Sequence, residues 1–485
     1  MKKFGLIGCP IGHSLSPKLH NYIADYEYTL NEIEGRSLDD FISNTQLDGF
    51  NVTIPYKVDI MGYLDEISPL AQRIGAVNTV VRRAGHADFG WYGDNTDYAG
   101  LKELLKYNDI SLFGKIILIL GTGGAAKMAK TLCEDGKAAG IYMASRDADM
   151  AIRKFNAKAA DSCKDLGGGS FLKIIGYEDI YNIERADVLI NATPVGMYPD
   201  TALVPADIGR IKGLESVVDM ISNPIRTQLL VNAKRQGLKT AGGLYMLVAQ
   251  AVYASYIFMG KNPKNNNGSG ETDNNCSTGI FDDYGSAGTI GKTDEEIRKI
   301  IEKVYRQIKT ETENIIFVGM PGCGKTTCAQ ILAKEIEENE KESGTLKREF
   351  VKFIDTDELI EKRTGMSIPE IFDKYGEEYF RDIEEDVIKE AALKSGCVIA
   401  TGGGSILREN NRNAMKRSGF VIYIDADIDK LATFGRPLSA GQKALEDMYA
   451  VRDKLYRDTA DIVIRQSDFS QFCAKFCDHM KKCRK

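Results

Sequence analysis

Short apolar runs alternate with segments of helical periodicity along most of the chain. Many of these runs end in glycine or in a small polar residue, as in FGLIG near the start, KIILILG from Lys115 and NIIFVG from Asn314. Buried strands that alternate with helices are typical of parallel sheets covered by helices. The pattern therefore predicts an α/β fold.

One stretch, residues 262–292, interrupts the alternation. Asn, Gly, Ser and Thr make up 18 of its 31 residues, so it holds too little apolar surface to offset the entropy lost on ordering a backbone. We interpret it as a flexible linker between two halves. The predicted units are 1–100 with a returning helix at 243–261, 101–242, the linker, a connecting helix at 293–313, and 314–485.

The connecting helix carries an apolar stripe that must be covered by other parts of the protein. The stripe consists of Ile297, Ile300, Ile301, Val304 and Ile308. We expect this helix to pack on the domain that follows it. The alternative is that it mediates contact between the two halves or between chains.

Composition and charge exclude several classes of partner. The chain has 485 residues, of which 43% are apolar and 27% charged, and its net charge is −6, which gives no electrostatic reason to expect nucleic acid or an anionic membrane. Pro10 and His13 interrupt any signal-peptide core, and no apolar run reaches transmembrane length. We expect a cytoplasmic enzyme that acts on small molecules.

The ten cysteines have no paired CxxC spacing, which favours reduced thiols. Cys473 and Cys477, with His479 and Cys483 nearby, are a candidate metal site, but we favour an ordinary half-buried terminal helix.

A first nucleotide site is predicted after the strand at Lys115. Its glycine turn has alanine at the third glycine position of the GxGxxG pattern and opens a helix, an arrangement that places a pyrophosphate at the helix N-terminus. The turn consists of Gly121, Thr122, Gly123, Gly124 and Ala125. The next strand ends in Ser145-Arg146-Asp147, where the arginine suits the 2′-phosphate of NADP and the aspartate would repel it. NADP is favoured over NAD, and the choice stays open.

Polar side chains also collect at several strand ends in the first hundred residues. Ser14 and Ser16 lie at a helix start, where they would either bind a carboxylate or simply cap the helix. Lys57 follows a strand that stops at Pro55, and glycine-flanked turns carry Asn78 and Asp97. Together they predict a polar pocket.

Seven motifs in this order resemble a shikimate dehydrogenase over Met1 to about Lys261: GCPIGHSLSPKLHN, NVTIPYK, GAVNT, GDNTDYAG, GTGGAA, NATPVGM and GLYMLVAQA. The resemblance implies an α/β substrate domain joined to a Rossmann domain that binds NADP(H). It implies that Lys57 and Asp97 are the catalytic pair. The substrate, shikimate or 3-dehydroshikimate, would be held by Ser14, Ser16, Thr53, Asn78, Asp97 and Gln250. The cofactor would contact residues 121–125, Ser145, Arg146, Met220 and Gly243. Ser222 departs from the family, which often has a substrate-contacting tyrosine there.

A second nucleotide site follows the strand at Asn314. The loop from Gly319 to Thr326 is GxxxxGK[ST] between a strand and a helix, in which backbone N–H groups surround phosphates, the lysine spans phosphate oxygens and the threonine binds Mg²⁺. The predicted ATP contacts of this loop are Gly322, Cys323, Gly324, Lys325, Thr326 and Thr327, and the predicted metal ligands are Thr326 and one of Asp355 and Asp357.

Acceptor groups follow in FIDTDELI, FRDIE, GGG and the later RPL and RDKLY. With GMPGCGKTT these motifs resemble a shikimate kinase over about Asn314 to Lys485, which implies a P-loop fold with a parallel sheet flanked by helices. The resemblance implies that shikimate is bound by Asp357, Arg381, Gly403 and Arg452, with Asp357 as base. Asp355 would then be the metal ligand. Arg436 would contact ATP at the transferred phosphate from a mobile lid, which looks shortened here.

The sequence thus predicts a bifunctional enzyme that makes shikimate and then phosphorylates it. One alternative is a first half that oxidises quinate with NAD. The other is that one half has become a binding or regulatory module. Lys57, Asp97, Lys325 and Asp357, all present, argue against that second alternative.

Overall fold

The computed structural model describes residues 1–12, 14–33, 38–83, 90–154, 163–167, 170–260, 292–342, 352–431 and 442–484. The predicted linker apart from Lys292, and the predicted lid residue Arg436, lie outside these ranges. The chain forms two compact units. The first comprises Met1–Val195, Val204–Ser222 and Asn232–Tyr305, and the second comprises Gly196–Leu203, Asn223–Val231 and Arg306–Lys485. The predicted α/β class is confirmed in both units.

The first unit opens with a mixed six-stranded sheet in the order β2-β1-β3-β5-β6-β4. Its strands are β1 (Lys3–Gly8), β2 (Glu27–Glu32), β3 (Gly49–Val52), β4 (Glu66–Ile67), β5 (Thr79–Arg83) and β6 (Gly90–Asp94). The helices between and after them are α1 (Ser16–Ile23), α2 (Leu38–Asn44), α3 (Pro69–Ile74) and α4 (Thr96–Tyr107). Lys57 and Asp97 follow the ends of β3 and β6, Asn78 directly precedes β5, and Ser14 lies in the loop between β1 and α1, so the residues of the predicted polar pocket all lie in or next to connections between elements.

The second sheet of this unit has seven strands in the order β13-β12-β11-β7-β8-β10-β9, and only β9 is antiparallel. The strands are β7 (Ile116–Leu120), β8 (Gly140–Ser145), β9 (Cys163–Gly167), β10 (Ser170–Gly176), β11 (Val188–Asn191), β12 (Ser216–Asp219) and β13 (Lys239–Gly242). The helices are α5 (Gly124–Asp135), α6 (Ala148–Lys154), α7 (Gln228–Arg235) and α8 (Gly243–Phe258). The strand order reverses at β7, and crevices at such reversals bind ligands in open α/β sheets.

Helix α8 returns to the first sheet and packs along α4. Gly100 permits this approach, because a Cβ atom there would lie 2.8 Å from the carbonyl oxygen of Met246 and 3.1 Å from the Cβ atom of Gln250. The close packing brings Gln250 on α8 next to the first turn of α4, which carries Asp97.

Helix α9 (Lys292–Thr312) contains the predicted apolar stripe, of which Ile297, Ile301 and Ile308 are fully buried. We expected the helix to pack on the following domain, but its residues up to Tyr305 belong to the first unit. Arg298 forms a 3.0 Å ion pair with Glu103 of α4, and the Tyr305 ring contacts Tyr107 and Tyr245. The apolar pattern did not show these charge and aromatic contacts, which join α9 to the first unit.

The second unit contains a parallel five-stranded sheet in the order β15-β16-β14-β17-β18. The strands are β14 (Asn314–Val318), β15 (Phe353–Asp355), β16 (Val398–Ala400), β17 (Gly419–Asp425) and β18 (Ile462–Arg465). The helices are α10 (Lys325–Glu342), α11 (Thr356–Thr364), α12 (Ile368–Ala392), α13 (Glu409–Ser418), α14 (Gln442–Thr459) and α15 (Phe469–Arg484). Cys473 and Cys477 on α15 are buried in the core of this unit. In the described ranges, no helix combines the length and the apolar character needed to cross a membrane.

Candidate active sites

Lys57 and Asp97 form an ion pair in the first unit. The distance from Lys57 Nζ to Asp97 Oδ2 is 2.6 Å, and both side chains are only partly exposed, at 20% and 13%. Lys57 lies in the turn after β3, and its carbonyl accepts a hydrogen bond from Val77 N. Asp97 lies in the first turn of α4, which Asn95 caps by accepting from Tyr98 N. Backbone contacts thus fix both members of the pair.

Asn78 and Gln250 are joined through a residue that the sequence interpretation missed. Thr96 donates its backbone N–H to Asn78 Oδ1 at 2.7 Å, and Thr96 Oγ1 also contacts Asn78 Nδ2 at 3.1 Å and Gln250 Oε1 at 3.4 Å. All three residues are buried. Thr96 stands directly before Asp97 in GDNTD, and this position beside a predicted site residue could have identified Thr96 from the sequence.

The glycine turn after β7 lies close to Lys57. A Cβ atom at Gly124 would be 3.9 Å from the Cβ atom of Lys57, so the start of α5 and the lysine are neighbours. Gly121 has a φ of 107°, which favours glycine. The predicted dinucleotide site and the predicted catalytic pair therefore lie next to each other.

Met220 and Gly243 meet at the far end of the second sheet. A Cβ atom at Gly243 would lie 2.2 Å from the Met220 carbonyl oxygen, so only glycine fits where α8 begins. The structure brings these two predicted cofactor contacts together.

Arg146 and Asp147 gave opposite indications about NADP binding in the sequence. In the structure, a local hydrogen-bond pattern gives the two side chains different roles. Asp147 Oδ1 accepts from Met150 N at 2.9 Å, so this carboxylate caps the N-terminal end of α6. The Ser145 hydroxyl donates to the Asp147 carbonyl at 2.8 Å. Arg146 is exposed and lies near Tyr177. Burial raises the pKa of Tyr177, and the positive charge of Arg146 offsets part of that rise. An exposed guanidinium there suits a phosphate.

Ser14 and Ser16 lie together at the start of α1. Ser14 Oγ donates to Ser16 Oγ at 3.1 Å and accepts from Ser16 N at 3.2 Å. Leu15 occupies the N-cap position, so Ser16 is inside the helix and is not the cap residue. Thr53, the third predicted contact, lies directly after β3, with its backbone N–H bonded to Ile7 O. Ser222 is half-buried after β12.

The loop of the second unit between β14 and α10 has the geometry of a phosphate site. Gly322 and Gly324 have φ angles of 85° and 81°, which only glycine adopts readily. Lys325 is buried and its Nζ donates to Met320 O at 2.9 Å. Thr326, at the start of α10, donates to Asp355 Oδ2 at 2.9 Å. A hydroxyl and a carboxylate in contact are oxygen donors that suit Mg²⁺.

Asp355 and Asp357 have different surroundings. Asp355 caps α11 by accepting from Asp357 N and Glu358 N. Asp357 Oδ1 is buried without a hydrogen-bond partner among the described residues. Burial, followed by the nearby Asp355 carboxylate, raises the pKa of Asp357 to about 6. A carboxylate with that pKa can serve as a base near neutral pH.

Three consecutive glycines pass close to the acceptor groups. A Cβ atom at Gly402 would lie 2.7 Å from Asp357 Oδ1 and 2.8 Å from Glu384 Oε1. At Gly403 it would lie 2.7 Å from the Pro321 ring, and at Gly404 it would lie 2.1 Å from Arg381 Nη1. The clash at Gly403 is with the Pro321 ring and backbone, whereas at Gly402 and Gly404 it is with the ends of side chains that could shift, so the need for glycine is strongest at Gly403.

Arg381 and Arg452 approach the same glycine loop. Arg381 Nη1 bonds to Glu384 Oε2 at 2.7 Å, as the spacing of the two residues predicted. Arg452 Nη1 donates to Gly403 O at 3.2 Å, and the Tyr456 hydroxyl donates to the same carbonyl. Tyr456 was not among the predicted residues.

These groups line a cavity of about 510 Å³ that extends from the phosphate loop to apolar side chains. Lys325, Asp357, Arg381 and Arg452 all face it, and Phe372 contributes to its apolar wall. The volume suits a small polar ring next to a phosphate.

The two sites define the class of the protein: one half is a dinucleotide-binding oxidoreductase and the other is a P-loop phosphotransferase. Residues 6–80 match the family model of the shikimate dehydrogenase substrate binding domain, and residues 321–481 match that of shikimate kinase. The chain belongs to the shikimate dehydrogenase family over its first half and carries a shikimate kinase domain in its second half. Both predicted family resemblances are confirmed.

Relatives of the first half are similar over nearly their whole length. The shikimate dehydrogenase (NADP(+)) of Clostridium perfringens is 39% identical over 268 residues, which cover 54% of this chain and 93% of that protein. That of Clostridium beijerinckii is 40% identical over 266 residues, covering 53% and 92%. A crystal structure of shikimate dehydrogenase 1 from Peptoclostridium difficile is 37% identical and covers 54% of this chain and 93% of its own, with a TM-score of 0.46.

Proposed function

We propose that this chain reduces 3-dehydroshikimate to shikimate with NADPH and then transfers phosphate from ATP to shikimate, forming shikimate 3-phosphate. The observation that carries the first reaction is the 2.6 Å Lys57–Asp97 pair next to the predicted cofactor turn. A hydride donor bound at that turn and a proton donor at Lys57 can then act on one carbonyl group.

In the proposed reduction, the carbonyl carbon would receive the hydride that NADPH supplies when it is bound, and the C=O electron pair would move to the oxygen. The oxygen takes a proton from the Lys57 ammonium group, and Asp97 holds that group in place and stabilises its charge. Asn78 and Gln250, tied together by Thr96, would bind substrate hydroxyl groups, while Ser14, Ser16 and Thr53 would bind the substrate's other polar groups.

The proposed cofactor is NADP(H), because Arg146 is exposed and the Asp147 carboxylate is engaged as the cap of α6. The helix N-terminus that follows Gly121–Ala125 would hold the pyrophosphate. Met220 and Gly243 would contact the nicotinamide end.

In the proposed phosphorylation, Asp357 accepts the proton of the attacking hydroxyl group. Lys325 and the backbone of Gly322–Thr327 would bind the phosphates, and Thr326 with Asp355 would hold Mg²⁺, which neutralises phosphate charge when it is bound. Arg381 and Arg452 would bind the shikimate carboxylate next to the Gly403 backbone. Arg436 would stabilise the transferred phosphate.

The decisive experiment supplies the purified full chain with 3-dehydroshikimate, NADPH and Mg-ATP, and follows NADPH loss and shikimate 3-phosphate together. Lys57→Ala should lower NADPH oxidation by about 10²–10⁴-fold, the usual size of a general acid–base contribution, and spare the kinase. Lys325→Ala should do the reverse. Lys115→Ala, which removes a lysine paired with Glu215 outside the site, is the matched control.

Full dehydrogenase activity in Lys57→Ala would refute the first site assignment, and full kinase activity in Lys325→Ala would refute the second. NADH-linked turnover of quinate that exceeds NADPH-linked turnover of 3-dehydroshikimate would replace the proposed first reaction with quinate oxidation.

A further inference from the structure

The peptide group between Ala76 and Val77 is held from both sides by hydrogen bonds. Its carbonyl oxygen, on Ala76, accepts from Asn95 Nδ2 at 2.9 Å, and its N–H, on Val77, donates to the Lys57 carbonyl at 2.8 Å. A peptide group is planar and rigid, so the two bonds connect Asn95 to the backbone of Lys57 with little freedom between them. Ala76, Val77 and Asn95 are at most 1% exposed, so both bonds are shielded from water. The same peptide lies next to the predicted cofactor turn, since a Cβ atom at Gly124 would be 3.7 Å from that of Ala76.

The Asn95 side chain has a second contact, at the N-terminal end of α4. Its Oδ1 accepts from Tyr98 N at 3.4 Å and caps the helix, while its own backbone N–H donates to Asp94 Oδ1 at 2.7 Å. An amide has donors on its nitrogen and acceptors on its oxygen, so only this orientation places Nδ2 at a carbonyl and Oδ1 at an N–H. Asp97 lies two residues further along, in the first turn of the helix that Asn95 caps.

These contacts close a ring around the catalytic pair. In one direction from Asp97, the ring passes through Asn95 and the peptide at 76–77 to the backbone of Lys57, and in the other direction the 2.6 Å ion pair leads directly to Lys57 Nζ. Serine, threonine and aspartate also cap helices well, but none of them has an amide donor. The cap therefore does not account for the Nδ2 contact, which joins the two members of the pair.

We propose that Asn95 is a positioning residue for the dehydrogenase: its side-chain amide joins the first turn of α4, which carries Asp97, to the peptide that holds the Lys57 backbone. This inference rests on the proposed function, because it assumes that Lys57 and Asp97 act in the reduction. Asn95 acts through these two residues and not on the substrate itself. Loosening the link should slow the chemical step more than it weakens substrate binding.

The test compares Asn95→Ser with Asn95→Ala in the full chain, assayed by shikimate oxidation with NADP⁺. Serine still caps α4 but is too short to reach the Ala76 carbonyl, whereas alanine loses both contacts. We expect kcat to fall about tenfold in both variants, because a small displacement of a catalytic group slows the reaction. The midpoint of urea unfolding should stay near that of the parent chain in Asn95→Ser and fall further in Asn95→Ala.

Two further readouts separate positioning from a merely structural role. The KM values for shikimate and NADP⁺ should stay within about twofold, since Thr96 ties Asn78 to Gln250 without the Asn95 side chain. The deuterium isotope effect on kcat, measured with shikimate deuterated at the carbon that loses the hydride, should be at least as large as in the parent chain. Kinase activity of the same preparations should not change.

Asn108→Ala is the matched control. Asn108 lies at the other end of the same helix, where its Nδ2 donates to Leu104 O at 2.9 Å. That bond stays within α4 and reaches neither Lys57 nor Asp97, so kcat should remain within about twofold of the parent chain. An equal fall of kcat in this variant would overturn the proposal, because any disturbance of α4 would then have the same effect.

Three results with the Asn95 variants would also overturn the proposal: an unchanged kcat in Asn95→Ser, an equal loss of stability in Asn95→Ser and Asn95→Ala, or a smaller isotope effect than in the parent chain. Failure of the proposed function would look different, because the parent chain itself would not oxidise shikimate with NADP⁺.

If Asn95→Ser fails to fold, as judged by the fluorescence of Trp91, Asn95→Asp replaces it. Aspartate keeps the acceptor that caps α4 and turns a second oxygen toward the Ala76 carbonyl, so the link to the Lys57 peptide is lost. We expect kcat to fall by at least about tenfold. An unchanged kcat in this variant would overturn the proposal.

Discussion

At the residue scale, Arg146 and Asp147 show how a nearby hydrogen bond changes what a charged side chain indicates about the cofactor. We predict that Arg146→Ala raises the KM for NADP⁺ by about 10–100-fold and leaves the KM for NAD⁺ within about twofold, because only NADP⁺ carries the phosphate that a charged hydrogen bond would hold. Initial rates of shikimate oxidation with each cofactor measure this.

Arg153→Ala, on α6 beyond the strand end, is the control and should leave both KM values unchanged. An equal loss with both cofactors would contradict the assignment of Arg146 to the phosphate.

His20 is predicted to make the first unit sensitive to acid. Burial lowers the pKa of His20 to about 3, so the folded chain keeps the imidazole neutral, whereas the unfolded chain binds a proton below about pH 6.5. The contribution of neutral His20 to the free energy of unfolding is complete above about pH 6.5 and is lost as the pH falls toward 3. Between pH 7 and pH 5 the loss should be about 2 kcal/mol.

The measurement is urea unfolding followed by the fluorescence of Trp91, the single tryptophan of the chain, which lies in the first unit. His20→Gln has no titrating ring and should lose about 2 kcal/mol less than the parent chain over the same pH interval. Parallel losses in the two proteins would show that His20 is already protonated, or is exposed, in the folded state.

At the element scale, the crossing of α4 and α8 places Gln250 next to the first turn of α4, which carries Asp97. We predict that Gly100→Ala destabilises the first unit by about 1–3 kcal/mol, because the added methyl group meets the backbone of α8 and one of the helices must shift. NADPH-linked activity should fall at the same time, since Gln250 moves with α8. Trp91 fluorescence and the dehydrogenase assay report the two effects.

Gly62→Ala is the control for that substitution. A Cβ atom at Gly62 meets no heavy atom within 4 Å, so stability and activity should both stay near those of the parent chain. Equal behaviour of the two variants would mean that the α4–α8 approach tolerates an extra methyl group.

At the scale of the whole molecule, a producer and a consumer of shikimate occupy one chain. The linker that the sequence predicts at residues 262–292 would, as a random coil, have a mean end separation of about 30 Å. Small molecules diffuse over such a distance quickly and are lost to the solvent. We therefore predict no channelling: the benefit of the fusion is joint expression.

Two full-length variants test this without cutting the chain. Lys57→Ala keeps only the kinase and Lys325→Ala keeps only the dehydrogenase, so an equimolar mixture has the same number of active sites as half the amount of the parent chain. At matched site concentrations we expect the same transient accumulation of free shikimate. Less accumulation with the parent chain would demonstrate transfer within one molecule.

The sequence by itself determined the two nucleotide-binding loops, their strand and helix context, and the families of both halves. It could do so because phosphate loops depend on local backbone freedom, which consecutive glycines reveal directly. Lys325, Thr326 and the Arg381–Glu384 pair lie within single motifs or one helix, and the sequence spacing was enough to relate them.

Only the tertiary structure decided which distant groups meet. The approach of Gly124 to Lys57, the Gly100 crossing that brings α8 to α4, and the hydrogen bond from Tyr28 to Asn51 each join separate segments of the chain. The same holds for Asp147. The sequence suggested that its carboxylate would repel the NADP phosphate, whereas in the structure the carboxylate caps α6. Such contacts depend on how packed elements approach one another, and one-dimensional periodicity does not record that approach.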